Sequence, residues 1–260
     1  MLIGGLVSVT FRGKSPREII DLCVENRLKA IEWGENAHVF AGDVQGAARL
    51  GEMTRQAGLQ IAGYGSYYRL DTPDQPPQDF EPTLQSALAL GAPVIRVWAG
   101  RKGSEEADAA YRALVAQKAA VIAEMAGRQG VRISFEWHRN TLTDTNESAL
   151  DLLEAANHPN LYSLWQPTPE IPCAQRREGL RALGGRLAHL HVYYWDDARK
   201  RHPFEQGLDY WADYLSVLDP RVQYYALLEF VMGDTTAQLA QDAKALLAFL
   251  EKINAQQGGK

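Results

Sequence analysis

Cysteine is scarce in this chain. The two present, Cys23 and Cys173, stand far apart and show no metal-ligand spacing, which fits reduced thiols in a cytoplasmic protein rather than a disulfide framework. Basic charge is not in excess: 27 Lys and Arg against 32 Asp and Glu give a formal net charge of −5 and a pI near 5.7. That balance gives no footprint for nucleic acid, although an acidic average leaves room for a local basic groove. Long apolar runs are missing too. No stretch approaches the roughly 20 residues needed to cross a bilayer, so no membrane partner is expected. The opening Met1-Leu2-Ile3-Gly4-Gly5-Leu6-Val7 lacks a basic n-region and does not read as a signal peptide.

What the chain does have is 46% hydrophobic residues over 260 positions, enough for one sizeable core. Short β-rich runs alternate with longer helical patterns from end to end. Strands are expected at Leu6–Phe11, Ala30–Trp33, Gln60–Tyr64, Val94–Trp98, Arg132–Trp137, Leu161–Gln166, Leu187–Tyr193 and Tyr224–Phe230. Between them the apolar spacing turns helical, as in Ile19, Ile20 and Cys23 or Leu114, Val121, Ile122 and Met125. Ser15-Pro16 supplies a cap and a first-turn proline. Gly58, Gly91 and Gly130 sit where helices should stop. Asp71 to Gln78 is Pro-rich and polar, which suggests an exposed loop.

Eight strand–helix pairs in a chain close to the roughly 250 residues typical of a closed barrel predict an α/β fold, a single-domain (β/α)8 TIM barrel. The domain is expected over residues 1–253, with 254–260 a disordered C-terminal tail. A doubly wound open sheet is the rival. The first strand, however, leads into Arg12-Gly13-Lys14-Ser15, which is neither GxGxxG nor GxxxxGK[ST].

In such a barrel alternate strand residues point inward, and the last of them stand at the mouth where barrel enzymes work. Glu32, Arg96, Glu136, His138, Gln166, His189, His191 and Glu229 all fall at or near strand ends. A charge such as Glu229, flanked by Leu227-Leu228 and Phe230, is costly to bury unpaired. Any one of these residues could be half of an ion pair, Arg96 with Glu32 or Glu136 for example, but the ring as a whole points to chemistry. Glu136, Gln166, His191 and Glu229 offer mixed oxygen and nitrogen ligands that suit Mn²⁺, Mg²⁺, Co²⁺ or Zn²⁺. A metal there could polarise a carbonyl or hydroxyl of a sugar-like substrate while Glu136 and Glu229 remove and return a proton.

The order of motifs resembles that of the xylose-isomerase-like TIM barrels, in particular the sugar phosphate isomerase/epimerase family. The resemblance runs through Ile31-Glu32-Trp33, Leu90-Gly91-Ala92-Pro93-Val94-Ile95-Arg96-Val97, Phe135-Glu136-Trp137-His138, Thr141-Leu142-Thr143-Asp144-Thr145, His158-Pro159-Asn160, His189-Leu190-His191-Val192, Gly207, Trp211 and Leu227-Leu228-Glu229-Phe230. It implies a divalent metal held by a glutamate, an aspartate, a histidine and a glutamate after strands five to eight, hence Glu136, His191 and Glu229 here. At the sixth strand the usual Asp-x-x-His is replaced by Gln166-Pro167-Thr168-Pro169, which leaves an uncharged amide as the fourth ligand. The DNA-repair branch of this fold uses a trinuclear zinc site with many histidines; the six histidines here argue against it. Relatives often pair through outer helices or loops, so a homo-oligomer stays open, although no sequence feature marks an interface.

Around the mouth, His38 could reach a substrate hydroxyl or be a surface loop residue. Tyr64, Tyr67, Trp98, Trp137 and Trp165 cluster near strand ends and suit either sugar faces or packing; Trp98 shares the inward parity of Arg96. Glu32, His38, Tyr64, Arg96, Trp98 and His138 are the substrate-binding candidates, His189 is expected deeper, and one base of Arg199, Lys200 and Arg201 could meet a polar substrate group. The expected activity is a metal-dependent isomerase or epimerase acting on a carbohydrate or polyol. The alternatives are a lyase or dehydratase on the same barrel and a non-catalytic sugar-binding barrel.

Overall fold

A computed structural model describes residues 1–71, 79–169 and 171–258. Eight parallel strands close a barrel: β1 (Leu2–Val7), β2 (Ala30–Gly34), β3 (Gln60–Arg69), β4 (Val94–Trp98), β5 (Arg132–Glu136), β6 (Leu161–Trp165), β7 (Leu187–Val192) and β10 (Tyr224–Leu228). Around the barrel the order is β1-β10-β7-β6-β5-β4-β3-β2, so each strand pairs with its neighbours in sequence and the last closes on the first. A short antiparallel hairpin, β8 (Tyr194–Trp195) with β9 (Arg201–His202), follows β7. The fold is the expected single (β/α)8 barrel. No helix among the described residues is long and apolar enough to cross a membrane.

Local chemistry explains the helices. In α1 (Pro16–Glu25), Ser15 and Glu18 form a reciprocal capping box and Pro16 pre-sets the first turn, an arrangement whose cap alone contributes about 0.5–2 kcal/mol. Ile19, Ile20 and Cys23 turn inward. α2 (Val44–Gln56) and α4 (Ala109–Gly127) begin on Asp43 and Asp108, whose carboxylates accept from first-turn amides. α3 (Glu81–Leu90) ends on Gly91 in the left-handed region, φ 81°. α5 (Asn146–Ala156), α6 (Cys173–Leu183), α7 (Leu208–Leu215) and α8 (Thr236–Gly258) complete the outer ring.

Three boundaries differ from the sequence reading by more than two residues. The first strand is Leu2–Val7 and not Leu6–Phe11; Ser8–Phe11 forms a 3-10 turn whose four residues are all buried, and burial of that whole run hides the change of conformation from a hydrophobicity pattern. β3 continues past Tyr64 to Arg69. Finally, of the tail expected to be disordered over residues 254–260, the described part is helical: α8 continues through Gly258, and Asn254 clamps β1 by accepting from the Leu2 amide at 2.7 Å and donating to its carbonyl at 3.0 Å. Apart from Asp71, the loop expected over Asp71–Gln78 lies outside the described residues.

Candidate active site

The barrel interior is polar at its carboxyl end. Glu32, near the end of β2, is fully buried, and its Oε2 accepts from His189 Nε2 at 2.6 Å and His191 Nε2 at 3.1 Å. The other ring nitrogen of His191, Nδ1, lies 3.2 Å from Glu229 Oε2. A carboxylate oxygen at each nitrogen favours the doubly protonated ring while no metal is bound. Burial opposes that charge, but Glu229 and Glu32 outweigh it and raise the His191 pKa well above that of a free histidine. Burial likewise favours neutral Glu32, yet His191 and His189 hold it well below the usual carboxylate range. Burial keeps His189 neutral; its Nδ1 has no partner, which a neutral ring tolerates better than a charged one.

Arg96 on β4 supplies the opposing cation. Nη1 is 3.0 Å from Glu136 Oε2 and also donates to the Ser66 carbonyl at 3.0 Å, and Nη2 is 4.0 Å from Glu32 Oε1. This packing requires a glycine opposite it. A Cβ at Gly65 would stand 2.6 Å from Glu32 Oε1 and 2.9 Å from Arg96 Nη2, closer than side chains approach. Gly65 therefore opens the space into which the buried pair fits.

Above this layer is a cavity of about 350 Å³ floored by Glu136, Gln166 and Glu229 and walled by Tyr67, Trp98, His138, Trp195 and Phe230. Tyr67 and Trp98 stack at 6.2 Å, and His138 packs on Trp98 at 4.3 Å. Of the expected site residues, Arg96, Trp98, Glu136, His138, Gln166 and Glu229 line this cavity, and His191 lies directly beneath it against Glu229. The remaining three also fall outside its lining. Glu32 sits below the floor as the partner of two histidines. His38 spends both ring nitrogens on structure, Nδ1 at 3.0 Å from Ser8 Oγ and Nε2 at 3.0 Å from the Lys14 carbonyl. Tyr64 is fully buried in the apolar core, its hydroxyl donating to the Val39 carbonyl at 3.5 Å. Because β3 extends five residues further than the sequence suggested, Tyr67 takes the wall position expected of Tyr64. Trp137 and Trp165 are core packing. Arg199, flagged in the basic run, reaches the cavity.

Other contributors escaped the sequence reading. Arg12 follows the 3-10 turn that was taken for strand; Arg139 and Tyr193 lie outside regular elements, and Trp195 sits in the two-residue strand β8, too short to show a period. Glu35, buried and with its carboxyl pKa raised by burial, accepts from the Tyr67 amide at 2.5 Å and so fixes the wall. Tyr67 was named among the aromatics near the mouth, and continuing the period-two pattern from Gly63 and Gly65 to position 67 would have chosen it over Tyr64.

The donor set suits a divalent cation. One ligand atom each from Glu136, His191 and Glu229 lie within 4.8 Å of one another. An ion on His191 would take the place of a ring proton; with both histidines then neutral, Glu32, Glu136 and Glu229 against Arg96 leave a surplus of two negative charges for it to balance. Glu136 Oε2 is buried and, beside its 3.0 Å ion-pair contact with Arg96 Nη1, accepts no aligned hydrogen bond. Gln166 fits less well as a fourth ligand. Its amide nitrogen donates to the Trp137 carbonyl at 2.6 Å and approaches Glu136 Oε1 at 3.4 Å, so the end nearest Glu136 is a donor, and the residue's evident work is to hold that carboxylate.

The chain belongs to the xylose isomerase-like TIM barrel family, whose model matches residues 20–253. It is 28% identical over 224 residues to a 3-dehydroshikimate dehydratase of Bacillus anthracis, an alignment covering 80% of this chain and 77% of that protein. Among solved structures, it resembles a probable 3-DHS dehydratase from Bacillus anthracis (TM-score 0.76, 21% identity, 95% of this chain and 99% of the other). It also resembles a D-psicose 3-epimerase (TM-score 0.71, 16% identity, 97% and 99%) and an L-ribulose 3-epimerase (TM-score 0.70, 15% identity, 100% and 97%). These named relatives are enzymes, in agreement with the reading of this chain as one; at such identities the structures speak to the fold.

Proposed function

We propose that this chain is a divalent-metal-dependent enzyme that moves a proton on the carbon beside a carbonyl of a small hydroxylated substrate. The observation that carries this reading is the convergence of Glu136, His191 and Glu229 at the floor of the cavity in the barrel mouth. A divalent ion held by these three residues would polarise a substrate carbonyl or hydroxyl oxygen. Glu136 and Glu229 are the proton acceptor and donor. Arg96 and the Gln166 amide hold Glu136 in place, and His191 does the same for Glu229. Return of the proton to a carbon makes the enzyme an isomerase or epimerase acting on a carbohydrate or polyol.

A second reading, a dehydratase, is favoured by His138. Its Nδ1 donates to the Arg139 carbonyl at 2.7 Å, which leaves Nε2 as the nitrogen that exchanges a proton, on the same cavity. An elimination needs such a third group: the C–H electron pair forms a C=C bond, the neighbouring C–O bond breaks, and the departing hydroxide takes a proton from His138. The dehydratase relative supports this reading; the epimerase folds support the first.

Incubation with Mn²⁺ in deuterated water, using a panel of ketoses and 3-dehydroshikimate, separates them. Carbon-bound deuterium in substrate or its epimer marks an isomerase or epimerase; an unsaturated product formed with loss of water marks a dehydratase. The metal reading is abandoned if the native protein takes up no divalent metal, or takes up as much when Glu136→Ala and Glu229→Ala are combined.

A further inference from the structure

Strand β5 ends at Glu136, and beyond it the backbone leaves the sheet and needs new partners. Side chains supply them to three carbonyls in a row. The Glu136 carbonyl accepts from the Thr143 hydroxyl at 2.5 Å, that of Trp137 from the Gln166 amide at 2.6 Å, and that of His138 from the Thr141 hydroxyl at 2.6 Å. Asn140 stands in the left-handed region at φ 58°, a conformation asparagine tolerates. It turns the chain back so that both threonines reach residues they follow in sequence.

The run Thr141-Leu142-Thr143-Asp144-Thr145 carries part of the family resemblance, yet its side chains lie outside the cavity lining. Thr141, Leu142 and Thr143 are buried. The Leu142 amide donates to the Ala99 carbonyl at 3.0 Å, one residue past Trp98, and Asp144 Oδ2 accepts from the Ser104 amide at 2.9 Å. Thr145 accepts from the Ser148 amide at 3.2 Å and caps α5. The run is thus anchored beside β4 and at α5 while its two inner hydroxyls hold the end of β5. Each hydroxyl has one proton and a carbonyl can only accept, so both protons are committed to Glu136 and His138. The two hydroxyl oxygens stand 2.9 Å apart, and displacement of one carbonyl presses on the other through them.

We propose that Thr141 and Thr143 are positioning residues whose hydroxyls fix Glu136 and His138 as one unit, the first toward the metal and the second toward the substrate. This rests on the reading of Glu136 as a metal ligand. Packing alone does not call for threonine at these places. Valine has the same branched shape and stiff rotamer and sinks no hydroxyl; only the proton donor separates the two.

The test compares Thr143→Val with Thr143→Ser and Thr141→Val with Thr141→Ser, at a temperature where melting curves show all of them folded. Mn²⁺ uptake is read by calorimetry. The His138 end is read by the near-ultraviolet circular dichroism of Trp98, on which its ring packs at 4.3 Å, with Trp98→Phe identifying that indole's signal. Thr143→Val is expected to weaken Mn²⁺ binding about tenfold, and Thr143→Ser to restore most of it. Thr141→Val is expected to change the Trp98 signal, and Thr141→Ser to return it. A role confined to stability would lower the melting temperature and leave the readouts at wild-type values. Either readout left unmoved by its valine variant overturns the proposal, as does a serine variant as impaired as its valine counterpart. Should a valine chain not fold, alanine against serine, which differ by the hydroxyl alone, carries the same comparison. Wild-type protein that takes up no Mn²⁺ sinks the metal-dependent reading, and the Trp98 signal of the Thr141 variants then decides the positioning role by itself.

Discussion

Replacing Arg96 by methionine keeps much of the side chain's bulk and removes its charge. In the native barrel the guanidinium is 3% exposed, Glu136 5% and Glu32 not at all, so water cannot take over the role of counter-ion. The variant loses the 3.0 Å contact to Glu136, the longer one to Glu32 and the hydrogen bond to the Ser66 carbonyl. Breaking a buried pair from one side costs about 3–5 kcal/mol, because the carboxylate left behind stays desolvated. At roughly 2–4 °C per kcal/mol for a chain of this size, the melting temperature should fall by about 6–20 °C. The informative assay adds the double variant Arg96→Met with Glu136→Gln. If the cost lies in the stranded charge, the second change recovers part of the loss, and the cycle reports a coupling of about 1–3 kcal/mol. A single variant melting within about 3 °C of wild type, or a double variant whose loss is the plain sum of its parts, refutes this account of the barrel interior.

Gly65→Ala should destabilise the protein by about 1–3 kcal/mol through overpacking, since its Cβ would meet Glu32 Oε1 at 2.6 Å, whereas Gly63→Ala, with its nearest contact at 3.3 Å, should cost clearly less; equal shifts in urea midpoint would count against the close-approach argument. Burial lowers the His38 pKa from its ordinary value of 6.5, so the unfolded chain binds a proton there that the folded chain refuses, and the stability His38 contributes is present above about pH 6.5 and lost as the pH falls below it. His38→Asn should therefore flatten the acid limb of a stability-against-pH curve measured from pH 8 to 5, and curves that run parallel would show that His38 carries none of the slope.

The reach of the sequence can be traced residue by residue. Strand parity placed Arg96, Trp98, Glu136, His138 and Glu229 correctly at the mouth, because period-two alternation on a buried parallel strand leaves few options for a charged side chain. It failed where the strand boundary was misplaced. Ser8–Phe11 is as apolar and buried as a strand while being a 3-10 turn, which hid Arg12; β3 outruns its apolar pattern, which put Tyr64 in the place of Tyr67. Composition could not show that His38 is consumed by Ser8 and Lys14, nor that the Gln166 amide turns its nitrogen to Glu136, since both depend on partners far away in sequence. Arg139 and Arg199 are held by loops and Trp195 by a two-residue strand, where no periodicity exists to read.

The six tryptophans divide sharply by environment. Trp33, Trp137, Trp165 and Trp211 are sealed in packing, while Trp98 and Trp195 stand on the cavity wall. The protein thus carries its own optical probe. A ligand entering the mouth changes the surroundings of two indoles on opposite flanks and leaves the other four as a constant background. Occupancy can therefore be followed by intrinsic fluorescence with no added label, and Trp98→Phe and Trp195→Phe would report separately on the β4 side and the hairpin side of the bound molecule.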